Sequence, residues 1–147
     1  MSWKARLPML AAALWWGSLT AVGFLVVPML FAHLGTPAEA GRMAARLFSA
    51  QTWVGTACGV VLLMTARIGD EAPTLTWGKG ALVFVILGML LALLQEFAVA
   101  PRIVARENLR LWHGVGTALY AAQWLCALAV LWKLAGNVGV AARTQPT

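Results

Sequence analysis

The 147 residues are 61% hydrophobic and 11% charged, with a mean hydropathy of +0.79, whereas a soluble domain carries about a quarter of its residues as charges. Such a composition excludes a water-soluble globule, and the length leaves room for one domain with no separate soluble module. The formal charge of +6 comes from 11 Lys and Arg against 5 Asp and Glu; these charges are spread over loops and helix ends, which argues against nucleic acid and for topology and headgroup contacts.

Gaps between charges predict four membrane spans. The first covers residues 7–33, and its stretch from Leu7 to Val27 alone makes about 31 Å of helix, enough to cross a bilayer. Lys4 and Arg6 resemble a signal-peptide n-region, but the apolar run is too long for an h-region and no small-x-small cleavage site follows. It is read as a retained signal anchor. The second span, 47–66, lies between Arg46 and Arg67 and carries Gly55-Thr-Ala-Cys-Gly59, small residues on one face that allow close helix packing.

The third span, 77–99, has an uncharged core from Gly80 to Gln95 of only about 24 Å. Trp77 and a snorkelling Lys79 are therefore expected at one interface, with Gln95 and Glu96 near the other. The fourth, 111–132, is bounded by Arg110 and Lys133, with Trp112 and Trp132 as an aromatic belt. Residues 1–134 form the single domain and 135–147 a polar tail. Cys58 and Cys126 lie in apolar runs with no second cysteine at metal or redox spacing, and are read as packing residues.

Four spans put both termini and the 67–79 loop on one side. Lys4, Arg6, Arg67, Lys79, Lys133 and Arg143 nearly balance Arg42, Arg46, Arg102, Arg106 and Arg110 on the other. The n-region tips the expectation to cytoplasmic termini in a bacterial-type inner membrane.

The chain also carries an internal repeat. Phe24-Leu-Val-Val-Pro28 and Phe97-Ala-Val-Ala-Pro101 share Phe-x-Val-x-Pro, and each is followed by an arginine pair, Arg42-x-x-x-Arg46-Leu-Phe48 or Arg106-x-x-x-Arg110-Leu-Trp112. The fold expected is an all-α four-helix membrane bundle of two parallel hairpins related by a pseudo-two-fold axis along the membrane normal. Pro28 and Pro101 are expected to break their helices and lead into interfacial segments.

Both breaks fall at one face, together with His33, Arg42, Arg46, Gln51, Gln95, Glu96, Arg102, Arg106, Arg110 and His113. Arg102, Arg106, Arg110 and His113 make one stripe if their segment is helical. Glu96 is a carboxylate close to a span and needs a partner, which an arginine or His113 would supply. One reading makes the arginines anchors to anionic headgroups. A second makes the Arg/His/Glu face the site of a transporter or of a binding protein for a small polar or anionic ligand, since guanidinium groups suit carboxylate or phosphate. A third uses His33 and His113 for haem or a metal, without the second histidine pair or Cys-x-x-Cys-His attachment that would strengthen it.

Trp15-Trp-Gly-Ser18, Pro28-Met-Leu-Phe31, Gly41 to Phe48, and Pro101 with His113-Gly114 resemble the bacterial domain of unknown function 4149, which is similar to the eukaryotic transmembrane protein 205 family. The resemblance covers roughly Leu10 to Leu134 and implies a four-span membrane protein whose activity has no settled description. Pro28, Phe31, Pro101, His113 and Gly114 map onto the family pattern. That pattern often has an asparagine a turn or two beyond His-Gly; here Gly116, Thr117 and Tyr120 fill the stretch, and Tyr120 or Gln123 would have to replace it.

No nucleophile stands at recognisable spacing from a base, and there is neither a Walker loop nor His-Glu-x-x-His. The expectation is a non-enzymatic integral membrane protein without a cofactor, in contact with the bilayer and its anionic headgroups. The small-residue faces Ala13-x-x-x-Gly17-x-x-x-Ala21 and Gly55-x-x-x-Gly59 suit two uses, association as a homo-oligomer or partner subunit and packing of the bundle within one chain.

Overall fold

The computed structural model describes residues 3–68 and 78–143, and no strand occurs among them. The expected interfacial Trp77, the Lys79 side chain and residues 144–147 lie outside what is described. The first span is a continuous rod of α1 (Trp3–Ala21), a π turn (Val22–Val26) and α2 (Val27–His33). α3 (Pro37–Ile68) is the second. The third joins α4 (Gly78–Leu94), a second π turn (Gln95–Val99) and α5 (Ala100–Val104), and α6 (Leu109–Arg143) is the fourth. Four segments, Arg6–His33, Pro37–Ala66, Gly80–Val104 and Leu109–Gly136, are long and apolar enough to cross a membrane.

Helix ends differ from the charge gaps. α3 begins at Pro37 rather than near residue 47, because Thr36 caps it: the Glu39 N–H donates to Thr36 Oγ1 at 3.2 Å, and that hydroxyl donates to Glu39 Oε2 at 3.2 Å. Pro37 adds a preset φ at the first helical position. With 32 residues α3 is about 48 Å long, so Arg42 and Arg46 ride on its early turns and no separate interfacial piece precedes it. α6 runs on to Arg143, and the expected polar tail is helical through that residue.

The helices also continue through both prolines, where breaks were expected. In α geometry a proline ring clashes with the carbonyl four residues back. Here a widened π turn ends two residues before each proline: the Val27 N–H bonds to the Val22 carbonyl and the Ala100 N–H to the Gln95 carbonyl, both five residues back. The extra residue in the turn gives the ring its room and the rod continues.

The spans form a ring in chain order. Span one packs against spans two and four, and span three against the same two; among the described residues the diagonal pairs make no comparable contact. What fills the axis is Trp15, fully buried. A side chain added at Gly88 would start 2.7 Å from the Trp15 ring, and one added at Gly55 2.8 Å from its indole nitrogen. One large ring from span one thus occupies space that spans two and three vacate by having no side chain. A level further on, the Met89 thioether lies over Gly59 and fills the space that a Cβ there would take. The Gly55-x-x-x-Gly59 face therefore packs within the bundle. Outward, Leu10, Phe24, Val83, Phe97, Leu125 and Trp132 are exposed, as suits a lipid-facing surface.

Trp15→Ala should lower stability by on the order of 3–5 kcal/mol, the cost of emptying an aromatic site in a packed core. Gly88→Leu should also be destabilising, whereas Gly17→Ala, with nothing within 4 Å of the new Cβ, should be neutral or better. Thermal unfolding followed by circular dichroism in detergent distinguishes the three; equal losses at Gly17 and Gly88 would contradict the central role of Trp15.

Candidate functional site

The bundle interior is divided along its length. Toward the termini it is dry, built from Ala11, Ala12, Leu62, Val85, Val130 and Leu134. From the level of Trp15 toward the two prolines it is polar, and several of the polar groups there bond across to a neighbouring span, while the indole nitrogens of Trp15 and Trp16 are buried without a partner among the described residues.

At the first π turn the contact comes from α6. The Tyr120 hydroxyl donates to the Leu19 carbonyl at 2.7 Å, a bond between spans one and four. Its ring lies so close to the backbone that a Cβ at Gly23 would stand 2.6 Å from Cε1, which is why glycine occupies this turn. Phe48 of α3 meets the same ring edge-on, with centroids 5.3 Å apart. One turn further along α6, Trp124 donates from its indole nitrogen to Thr20 Oγ1 at 2.9 Å and packs between Trp16 and Phe24.

At the second π turn the contacts come from α3. Ser49 Oγ donates to Glu96 Oε1 at 2.6 Å, a short bond between spans two and three. The partner of Glu96 is thus a serine, not the arginine or His113 expected, because Glu96 faces α3 inside the bundle while those side chains are exposed. Neighbouring Gln95 sits near Gly116 of α6, with its Oε1 buried and unpaired among the described residues. Deeper in, Gln51 Nε2 donates to Ser18 Oγ at 2.9 Å, Ser18 donates to the Trp15 carbonyl at 3.0 Å, and Gln123 Nε2 reaches the Gly88 carbonyl at 3.4 Å. The two residues offered in place of the family's asparagine, Tyr120 and Gln123, are both engaged in bonds between spans.

The charged residues do not converge. Arg42, Arg46, Arg102, Arg106, Arg110, His33 and His113 are all exposed. The expected stripe from Arg102 to His113 is interrupted, since Ala105–Asn108 is a turn in which Arg106 has φ 57° and Asn108 φ 31°. The Glu107 N–H bonds to the Arg102 carbonyl and the Arg106 N–H to the Ile103 carbonyl, the paired closure that ends a helix on a left-handed residue. Asn108 then caps α6 through its Oδ1. Arg102 folds back over the Trp112 ring, 4.6 Å from its centroid.

Arg42 and Arg46 line an open groove of about 300 Å³ with Leu34, Glu39 and Met43. Arg110 lines another of about 570 Å³ with Asn108, Leu111, Gly114, Val115 and Ala118. His33 Nδ1 lies 3.0 Å from the Met29 carbonyl of its own helix. Among the described residues no group of three or more His, Cys, Asp or Glu is placed to hold a metal ion. Ser49 is one of several small polar residues on its span, and no spacing in the sequence points from it to Glu96 on another span.

A family model described as "Domain of unknown function (DUF4149)" matches residues 10–112, and the chain belongs to that family. The match ends at residue 112, so it takes in the first turn of the last span and leaves the rest, His113 and Gly114 included, beyond it. Neither the comparison with curated proteins nor that with solved structures finds a match.

Ser49→Ala should cost about 1–3 kcal/mol by leaving the Glu96 carboxylate without its donor, and Tyr120→Phe about 1 kcal/mol through the lost bond to Leu19. Arg106→Gly should gain up to about 1 kcal/mol by relieving the left-handed backbone. Chemical or thermal unfolding of each variant in one detergent reads all three; a destabilised Arg106→Gly would refute the strain assigned to that turn.

Proposed function

We propose that this member of the DUF4149 family is a non-enzymatic, multi-pass protein of a bacterial-type inner membrane, which acts through lipid contacts and engages anionic headgroups with its proline-side end. The supporting observation is the outward display of Arg42, Arg46, Arg102, Arg106 and Arg110 at that end, while the nearby carboxylate Glu96 takes its bond from Ser49 inside. Each arginine close to an anionic surface contributes roughly 1 kcal/mol of attraction. Cytoplasmic termini put this end at the opposite surface of the membrane.

The same reading takes the chain as two parallel hairpins in a pseudo-repeat. The two π turns stand at the same spacing as the two prolines, and a ring in chain order is the arrangement that a two-fold exchange of hairpins requires. The halves have diverged in their arginine pairs: Arg42 and Arg46 share a helix, whereas Arg106 lies in a turn ahead of Arg110.

A second reading, a transporter or binding protein for a small polar ligand, draws on the polar half of the interior and on the unpaired Gln95 Oε1. It uses Glu96, Gln95 and Ser49 rather than the exposed arginines.

The test is thermal unfolding of the protein in nanodiscs of phosphatidylglycerol or of phosphatidylcholine. The melting temperature should be higher in the anionic lipid, the difference should shrink with added salt, and it should vanish when all five arginines become glutamine. Equal melting temperatures in the two lipids would sink the headgroup reading.

A further inference from the structure

We propose that the groove beside Arg110 holds one phospholipid, its anionic phosphate on Arg110 and its acyl chain along α6. The proposal rests on the headgroup reading above and adds to it a discrete site. Arg110, Gly114 and Ala118 follow at steps of four, so they stand in one line down the helix, and Leu111 and Val115 form the adjoining line. The surface below the guanidinium is thus a shallow, open depression on α6 itself, bare backbone and one methyl flanked by the branched aliphatic side chains of Leu111 and Val115. From Arg110 to Ala118 is about 12 Å of helix, against about 15 Å for half the hydrocarbon core. A groove that is cationic at the membrane surface and apolar below it has the polarity of a phospholipid in its own leaflet.

Gly114 is open: nothing lies within 4 Å of a Cβ built there. Its lack of a side chain therefore serves no packing within the chain, unlike Gly23, Gly55 and Gly88, where neighbours fill the space. A second copy of the chain docked symmetrically on the same line would bring its Arg110 toward ours, a like-charge approach that an anionic lipid replaces with attraction.

The experiment counts lipids retained by the detergent-purified protein in native mass spectrometry after titration with phosphatidylglycerol or phosphatidylcholine. The wild type should retain one phosphatidylglycerol more tightly than the rest. Gly114→Leu, which fills the floor without meeting a neighbour, should weaken that lipid at least about tenfold, and Arg110→Gln about fivefold, the share of one surface arginine. In nanodiscs Gly114→Leu should keep most of the stabilisation by anionic lipid, because the other four arginines remain.

Unchanged retention in both variants, with their helical content intact, overturns the groove site and leaves the headgroup reading standing. Equal retention of the two lipids by the wild type overturns the anionic occupant. A wild-type dimer that Gly114→Leu converts to monomer assigns the groove to a second copy and overturns the proposal. Loss of the anionic-lipid stabilisation in the wild type itself identifies failure of the broader reading.

Discussion

A bundle in lipid gains nothing from hiding apolar side chains, since its surroundings are as apolar as its core; close packing and bonds between spans must hold it. Trp15 meets that demand. Its ring reaches the axis from span one, and Gly55 and Gly88 on spans two and three give it space. Because the three positions fit only together, the helices are pinned in azimuth and in depth at one level, and the polar and dry halves of the interior are measured from it.

The polar half depends on that pinning. Ser49 reaches Glu96, Gln51 reaches Ser18, and Tyr120 reaches the Leu19 carbonyl only if neighbouring spans keep their register to within a fraction of a turn. Buried hydrogen bonds of this kind contribute modestly when made and cost more when one partner is left alone. They make slipped packings expensive, so they specify one arrangement among the many that apolar surfaces would accept. The exposed arginines make no hydrogen bond of this kind between spans among the described residues.

The four spans were legible in the sequence because charge is excluded from hydrocarbon, and the gaps between charges report that directly. They do not report where helices end, which is decided by capping: Thr36 with Glu39 extends α3 well ahead of its apolar stretch. The prolines were located correctly and their consequence was not, since whether a proline breaks a helix depends on whether the preceding turn can widen. The stripe from Arg102 to His113 assumed a continuous helix, and an arginine in a left-handed turn leaves no mark in composition or period. Glu96 was recognised as needing a partner. Its partner is a serine on another span, a pairing set wholly by tertiary packing.

The two π turns have a further consequence. Each stores one residue more than an α turn, so everything beyond it is rotated by about 100° from where an uninterrupted α-helix would put it. The last turns of spans one and three are therefore phased independently of the rods that carry them. His33 and Arg102 stand on the re-phased turns, while Trp15 and Gly88, on the other side of the π turns, keep the phase the core requires.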